Sequence, residues 1–300
     1  MLYHTDKTEI YFNGEFKHIN EFKISPYNQT LHYGYGVFEG IRAYKTGQGP
    51  HIFKVRRHFE RLLHSAEKME MKVDFQPIDL INAAYELIER NKMQEAYIRP
   101  LVFMDKNMTL NHDNSVNEVN VMMVCWKWAR YFPSNHLNLL VSSFRRPHPR
   151  TVHIDTKVTG HYVNSILATR EAQRKGYDDA IMLDVDGYVA QGPGASVFFE
   201  NNGKLYTAPL GNVFPSITRE LLIHLAEEMG IEVIEKQFGA EDIVSVDGAF
   251  FAGTAVEVAG IASINGHKLK LEWEDTIGYL LYRKYKKIVT GKDSSYLEYF

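Results

Sequence analysis

The chain opens with a short alternation of apolar and polar residues, "EIYFNGEFKHI", broken by Asn13-Gly14, a pair suited to the positive φ angles of a two-residue hairpin turn. The period then lengthens. In "KVRRHFERLLHSAEKM" the residues Phe59, Leu62, Leu63, Ala66 and Met69 recur on one face of a helix. A second helix is expected in "PIDLINAAYELIERNK", because the N–H that Pro77 lacks would have no partner in a first turn anyway. Strands are predicted in "AYIRPLVFM" and in the alternating "NEVNVMMVCWKW". The segment "RYFPSNH" at 130–136 breaks the pattern, and a new strand begins at "LNLLVSSF".

Beyond it the same logic predicts a helix in "VNSILATREAQRKG" closed by Gly176, a strand in "DAIMLD", and a turn at Asp186-Gly187 into "YVAQ". A Gly-Pro-Gly kink leads to the strand "ASVFFE". The helix "TRELLIHLAEEMG" sets Leu221, Leu222, Leu225 and Met229 on one side and stops at Gly230. Strands in "GAFFAGTAVEV", a hairpin at Asn265-Gly266 and an amphipathic helix from about Glu274 to Val289 complete the reading. Hairpins interleaved with helices fit α+β better than a doubly wound parallel sheet. A smaller N-terminal α/β domain over 1–129, a loop at 130–136 and a larger domain over 137–300 are expected.

Composition removes several function classes. A net charge of −3 over 300 residues gives no electrostatic footprint for nucleic acid or an acidic membrane surface. No apolar run approaches the roughly 20 residues that span a bilayer, and the N-terminal residues lack the blocks of a signal peptide, so a cytoplasmic protein is expected. The single cysteine, Cys125, lies within a predicted strand, and the 13 histidines show no metal-ligand spacing; no metal site is expected. The basic stretch "RRPHPR" at 145–150 reads as a loop, one that could edge an anion pocket.

One residue stands out chemically. In "TKVTGHYVNSILA" Lys157 is the only formal charge between Asp155 and Arg170. Most lysines are exposed, and an exposed strand-end lysine is the ordinary reading. A covalent catalyst is the sharper one, since an amine used for Schiff-base chemistry must lose its proton and a pocket poor in counter-ions favours the neutral form.

The motifs "LHYGYGVFEGIRAY", "AYIRPLVF", "KVTGHYVNS" and "FFAGTAVEV", in this order, closely resemble those of the branched-chain aminotransferases, class IV enzymes of pyridoxal-phosphate fold type IV. The resemblance, running from about Ile10 to the C-terminal helix, implies the fold of the aminodeoxychorismate lyase and D-amino acid aminotransferase group and pyridoxal 5'-phosphate as cofactor. It implies that Lys157 carries the cofactor and shuttles the proton, and that Tyr162 hydrogen-bonds the cofactor's phenolic oxygen. Arg61, Ile217, Thr218, Thr254 and Ala255 match the residues around its phosphate. For Ile217 and Thr218 the residues agree independently, because "PSITRELL" enters a helix whose free N–H groups favour an anion. Arg61 by itself reads as a solvated helix residue. Tyr33, Phe38, Tyr131 and Trp126 match an apolar substrate pocket, and the turn at Thr254 and Ala255 borders it. Arg99 matches the anchor for the side-chain carboxylate of glutamate, with Arg42 and Tyr97 supporting it; a structural carboxylate partner would also explain an arginine in that strand. The same resemblance implies a homodimer or larger homo-oligomer in which loops of one subunit complete the other's pocket.

Three positions depart from the family pattern. Gln191 stands where a glutamate pairs with the pyridine nitrogen, Ser196 replaces an asparagine, and Ser216 replaces a glycine before the phosphate-binding helix. A neutral amide supplies no counter-charge for a pyridinium, so the cofactor should be a weaker electron sink. Reduced activity, an altered substrate (a D-amino acid or an aminodeoxychorismate-like compound) and a binding protein that has lost turnover all remain open on these residues.

Overall fold

In the computed structural model, residues 3–106, 108–111, 118–134, 136–293 and 295–296 are described. Asn117 and Asn135, which fall in two of the predicted segments, lie outside this set. The chain divides into two compact units. One comprises Met1–Ala129, Thr156–His161 and Val289–Phe300; the other comprises Arg130–Asp155 and Tyr162–Ile288.

The first unit is built on a seven-stranded sheet. The hairpin of β1 (Glu9–Phe12) and β2 (Glu15–His18) turns at Asn13 (φ 47°) and Gly14 (φ 94°), which satisfies the conformation its sequence demands. A single helical turn, α1 (Gln29–Tyr33), is capped by the Asn28 side chain. Strands β3 (Gly36–Phe38), β4 (Ile41–Thr46) and β5 (Gly49–Ile52) follow, then α2 (Val55–Lys68), α3 (Pro77–Arg90), β6 (Ala96–Asp105) and β7 (Glu118–Trp126). The path through the sheet is β2-β1-β7-β6-β4-β5, with β3 pairing β6 beside β4.

Strand β6 carries Pro100 in the middle of a sheet, where the missing N–H ordinarily excludes proline. The sheet accommodates it by breaking the neighbouring strand. Phe38 faces Leu101 and Ile41 faces Ile98, so the Glu39-Gly40 step lies opposite Arg99 and Pro100, and the Glu39 N–H donates to the Pro100 carbonyl at 3.0 Å. Helices α2 and α3 cover the sheet with Phe59, Leu62, Leu80 and Leu87, all with no exposed surface. Each such side chain contributes about 1.5–3 kcal/mol by leaving water.

The second unit holds a nine-stranded mixed sheet. Its elements are β8 (Leu137–Arg145), α4 (Tyr162–Arg174), β9 (Asp179–Leu183), β10 (Val189–Gln191), β11 (Ser196–Asn201), β12 (Lys204–Thr207), α5 (Ile217–Glu228) and β13 (Val233–Glu235). They continue through β14 (Gly248–Gly253), β15 (Glu257–Ile264), β16 (His267–Lys268) and α6 (Ile277–Val289). The order is β10-β9-β8-β15-β14-β11-β12-β13, with β16 on β15; β8 runs parallel to both β9 and β15.

Two expectations need correction here. Met229 does not join the buried face of α5: it is 43 % exposed, because the helix has ended at Glu228, and Ala226 fills that face with Leu221, Leu222 and Leu225. The last helix begins at Ile277, and Glu274 belongs to a 3-10 turn over Trp273–Asp275 that precedes it.

Candidate active site

The stretch "VFEGIR" shows how the first unit builds its share. Alternate residues of a strand face opposite sides. Val37 and Ile41 enter the core, and Glu39 between them turns to the same side, toward α2. There its fully buried carboxylate accepts from Arg61 Nε at 2.6 Å, from Arg61 Nη2 at 3.0 Å and from His58 Nδ1 at 2.9 Å. Burial pushes the Glu39 carboxyl up, but the Arg61 charge and the His58 hydrogen bond outweigh it and hold it well below the usual carboxylate range. Burial in turn drives the His58 imidazole down, against the pull of Glu39 and with help from the Arg61 and Lys157 charges. A neutral His58 facing a carboxylate must carry its proton on Nδ1.

Phe38, Gly40 and Arg42 face the other way. Across β4, β6 and β7 the residues Arg42, Tyr97 and Trp126 form one row in register, and Arg99 is the next residue of β6 on that face. Tyr97 and Trp126 pack at 5.0 Å between ring centroids, and the Arg42 Nη1 donates to the Trp128 carbonyl at 3.1 Å. The Arg99 guanidinium lies 4.7 Å from the Phe38 ring centroid, 5.4 Å from Tyr97 and 5.8 Å from Trp126. Its Nη2 reaches the Tyr97 hydroxyl at 3.5 Å, while its buried Nε has no hydrogen-bond partner among the described residues. Gly40 is required here: a Cβ on it would lie 1.9 Å from the Tyr97 hydroxyl oxygen.

Lys157 is fixed by its backbone. Its carbonyl accepts the Phe38 N–H at 3.0 Å, its N–H donates to Ser65 Oγ at 3.2 Å, and Val158 bridges Val37. Beyond it, the Gly160 N–H donates to the Gly34 carbonyl at 3.0 Å, and a Cβ on Gly34 would meet the Gly160 Cα at 2.8 Å. The glycines of "HYGYG" and "KVTG" thus let two backbones abut. The Lys157 amine stands 5.2 Å from the centroid of Phe38, the ring that Arg99 also touches. Tyr33, 52 % exposed on α1, donates through its hydroxyl to the Met108 carbonyl at 3.3 Å.

In the second unit, α5 opens with Ser216 as cap, whose Oγ accepts the Arg219 N–H at 3.2 Å. The N–H groups of Ile217 and Thr218 stand at the helix start, where no preceding turn offers them carbonyls. Gln191 closes β10 and its Oε1 accepts the Phe214 N–H at 2.8 Å, tying that strand to the loop that enters α5. Ser196 is buried at the start of β11, opposite Ala252. Thr254 and Ala255 form the turn between β14 and β15, next to Gly253, whose Cβ position would lie 3.3 Å from the Gly194 carbonyl. Tyr162 begins α4 half-buried. Tyr131 packs edge-on against Phe132 at 4.7 Å and lines a cleft of about 400 Å³ with Thr169, Tyr177 and Asp179.

Sequence reasoning missed Glu39, His58 and Arg146. The spacing of His58 and Arg61, three apart on one helix face below a strand carrying Glu39, was a legible signal of a shared partner. Arg146, from the stretch read as a loop, is buried: Nη1 makes a long 3.4 Å hydrogen bond to Ser165 Oγ, Nε has no partner among the described residues, and its charge interacts with Tyr162. Burial lowers its proton affinity and Tyr162 opposes that. Among the described residues no cluster of three or more metal-ligating side chains and no helix long and apolar enough to cross a membrane is found.

Residues 36–264 match the model of the amino-transferase class IV family. The chain belongs to that family. It is 35 % identical over 295 residues to the branched-chain-amino-acid aminotransferase of Pseudomonas aeruginosa, covering 97 % of this chain and 95 % of that one. Among solved structures it is similar to the branched-chain aminotransferase of Thermoproteus uzoniensis, solved with norvaline, with a TM-score of 0.92, 34 % identity and coverage of 97 % and 98 % of the two chains. The branched-chain amino acid aminotransferase of Thermobaculum terrenum, solved in its PLP-bound holo-form, matches with a TM-score of 0.91 at 29 % identity over 98 % and 97 %.

Proposed function

We propose that this chain is a pyridoxal 5'-phosphate-dependent aminotransferase that moves an amino group between branched-chain L-amino acids and 2-oxoglutarate. The observation that carries this reading is the Phe38 ring, with the Lys157 amine on it at 5.2 Å and the Arg99 guanidinium on it at 4.7 Å. The amine and the guanidinium thus share one apolar ring as neighbour, which suits a site that takes an aliphatic side chain and a glutamate side chain in turn. The orphaned Arg99 Nε supports the anchor, since a buried guanidinium N–H calls for an acceptor that the described residues do not supply.

The residues fit the cofactor. Ile217 and Thr218 offer N–H groups, and Arg61, clamped by Glu39, offers a fixed guanidinium to a phosphate. Thr254 and Ala255 are assigned to the same phosphate, Tyr162 and Gln191 to the ring, and Ser196 to the wall beside it. Pyridoxal phosphate supplies an aldehyde for the lysine amine and an electron-accepting ring. Lys157 holds and returns the proton at the substrate's α-carbon. Phe38, Tyr97 and Trp126 exclude water from an aliphatic side chain, Arg42 and Tyr97 support the Arg99 anchor, and Tyr131 is assigned to the apolar pocket by the family resemblance alone.

A homodimer or larger assembly, acting in the cytoplasm, completes the proposal. It is supported by apolar residues left on the surface: Val163, Ile166 and Leu167 along α4, and Leu31, Tyr33 and Leu110 in the first unit. Tyr33 is assigned to the apolar side-chain pocket by the family resemblance. The test is borohydride reduction of the cofactor-loaded protein followed by peptide mass spectrometry. The expected label is on Lys157; a label on another lysine, or none, overturns the reading. Added L-leucine and L-glutamate should each change the cofactor's absorbance before reduction.

A further inference from the structure

Gln191 is 7 % exposed, and its Oε1 takes the Phe214 N–H at 2.8 Å. A backbone N–H can only donate, so this contact fixes which arm of the carboxamide is oxygen. Nε2 lies on the other arm, with a long 3.4 Å approach to the Gly192 carbonyl that can occupy one of its two hydrogens. Turning the amide over would set N–H against N–H and leave Phe214 without its acceptor. The end of Gln191 available to a ligand is therefore a donor.

We propose, resting on the cofactor reading above, that Gln191 donates this N–H to the pyridine nitrogen of the bound cofactor and so keeps that nitrogen unprotonated. The nitrogen has one lone pair in the ring plane. It can accept a hydrogen bond or carry a proton; it cannot do both. A carboxylate at residue 191 would reverse the polarity, taking its hydrogen bond from a pyridinium and balancing its charge. The proton that a pyridinium would have kept is released to solvent when the cofactor binds. The neutral ring accepts less charge, and the chain differs in this from one with glutamate at the same place.

The test is 15N magnetic resonance of the holoenzyme loaded with cofactor labelled at the ring nitrogen. The wild-type resonance is expected at the position of a neutral pyridine and unchanged from pH 6 to 9. Gln191→Glu, which keeps an acceptor for Phe214, is expected to move it to the pyridinium position. A pyridinium resonance in the wild type, or no difference between the two proteins, overturns the proposal while leaving the aminotransferase reading intact. Labelled cofactor that stays free in solution and is not fixed on Lys157 by borohydride overturns both.

Discussion

Arg61 Nε sits 2.6 Å from Glu39 Oε1, and that carboxylate has no exposed surface at all. A guanidinium gripped through Nε and Nη2 cannot swing, so its remaining donors keep one direction. Under the proposed function, in which Arg61 faces the cofactor's phosphate, Glu39 would be its positioning residue.

Glu39→Gln should weaken cofactor retention more than it weakens the fold's secondary structure. Removing the charge from one side of a buried pair costs about 3–5 kcal/mol. Equilibrium dialysis of pyridoxal phosphate should show a raised dissociation constant at a protein concentration and temperature where circular dichroism is native. Unchanged binding by the folded variant would refute the positioning role. Because the folded-state carboxyl lies below its unfolded value, the pair's contribution is complete above about pH 4.5 and is lost only as the pH falls toward the folded value.

Arg99→Met keeps the buried stem and removes the charge. Two charge-assisted hydrogen bonds lost from a carboxylate correspond to roughly a 100-fold or larger fall in kcat/KM with glutamate. Leucine should lose less than about 5-fold, since no charge is involved. Single-turnover absorbance with each amino acid checks this, and equal losses would dismiss the anchor.

Asp179 supplies a pH signature independent of catalysis. Burial pushes its carboxyl up to about 6, against hydrogen bonds from Thr169 and the Ala180 N–H and with help from the Asp178 charge. The folded state then binds the proton more tightly than the unfolded state, so this group lowers stability as pH rises from about 4 to 6. Asp179→Asn should be more stable than the parent at pH 7, by at most about 3 kcal/mol, and equal to it below about pH 4. Urea denaturation at the two pH values decides.

Cys125 should be silent until the protein opens. Burial drives its thiol up to about 12, and it sits 2 % exposed in β7. Ellman's reagent should titrate no thiol in the native protein and one per chain in guanidinium; rapid native labelling would contradict the burial.

Helices and hairpins were legible where one face decided their fate. Phe59, Leu62 and Ala66 repeat at a helical period because α2 covers a sheet, and Asn13-Gly14 permits little except its turn. The motif residues were legible through resemblance, yet not their partners. Arg61 reads as solvated because its carboxylate is 22 residues away and its histidine looks like one more polar helix residue. Arg146 hid in a proline-broken basic run, where local composition predicts exposure and only tertiary packing buries it. Strands β3, β4, β5, β12 and β13 carry no clear alternation or turn signal of their own and take their identity from neighbours in the sheets.

The pairing of Val158 with Val37 bears on how the protein is made. As the polypeptide leaves the ribosome, its first 129 residues emerge with the edge at Val37 still uncovered, and the strip that seals it is translated only by residue 161. At typical synthesis rates that gap lasts roughly two to six seconds. A fragment ending at residue 129 would keep that edge open indefinitely and become a client for chaperones, whereas a longer nascent chain can close it before release.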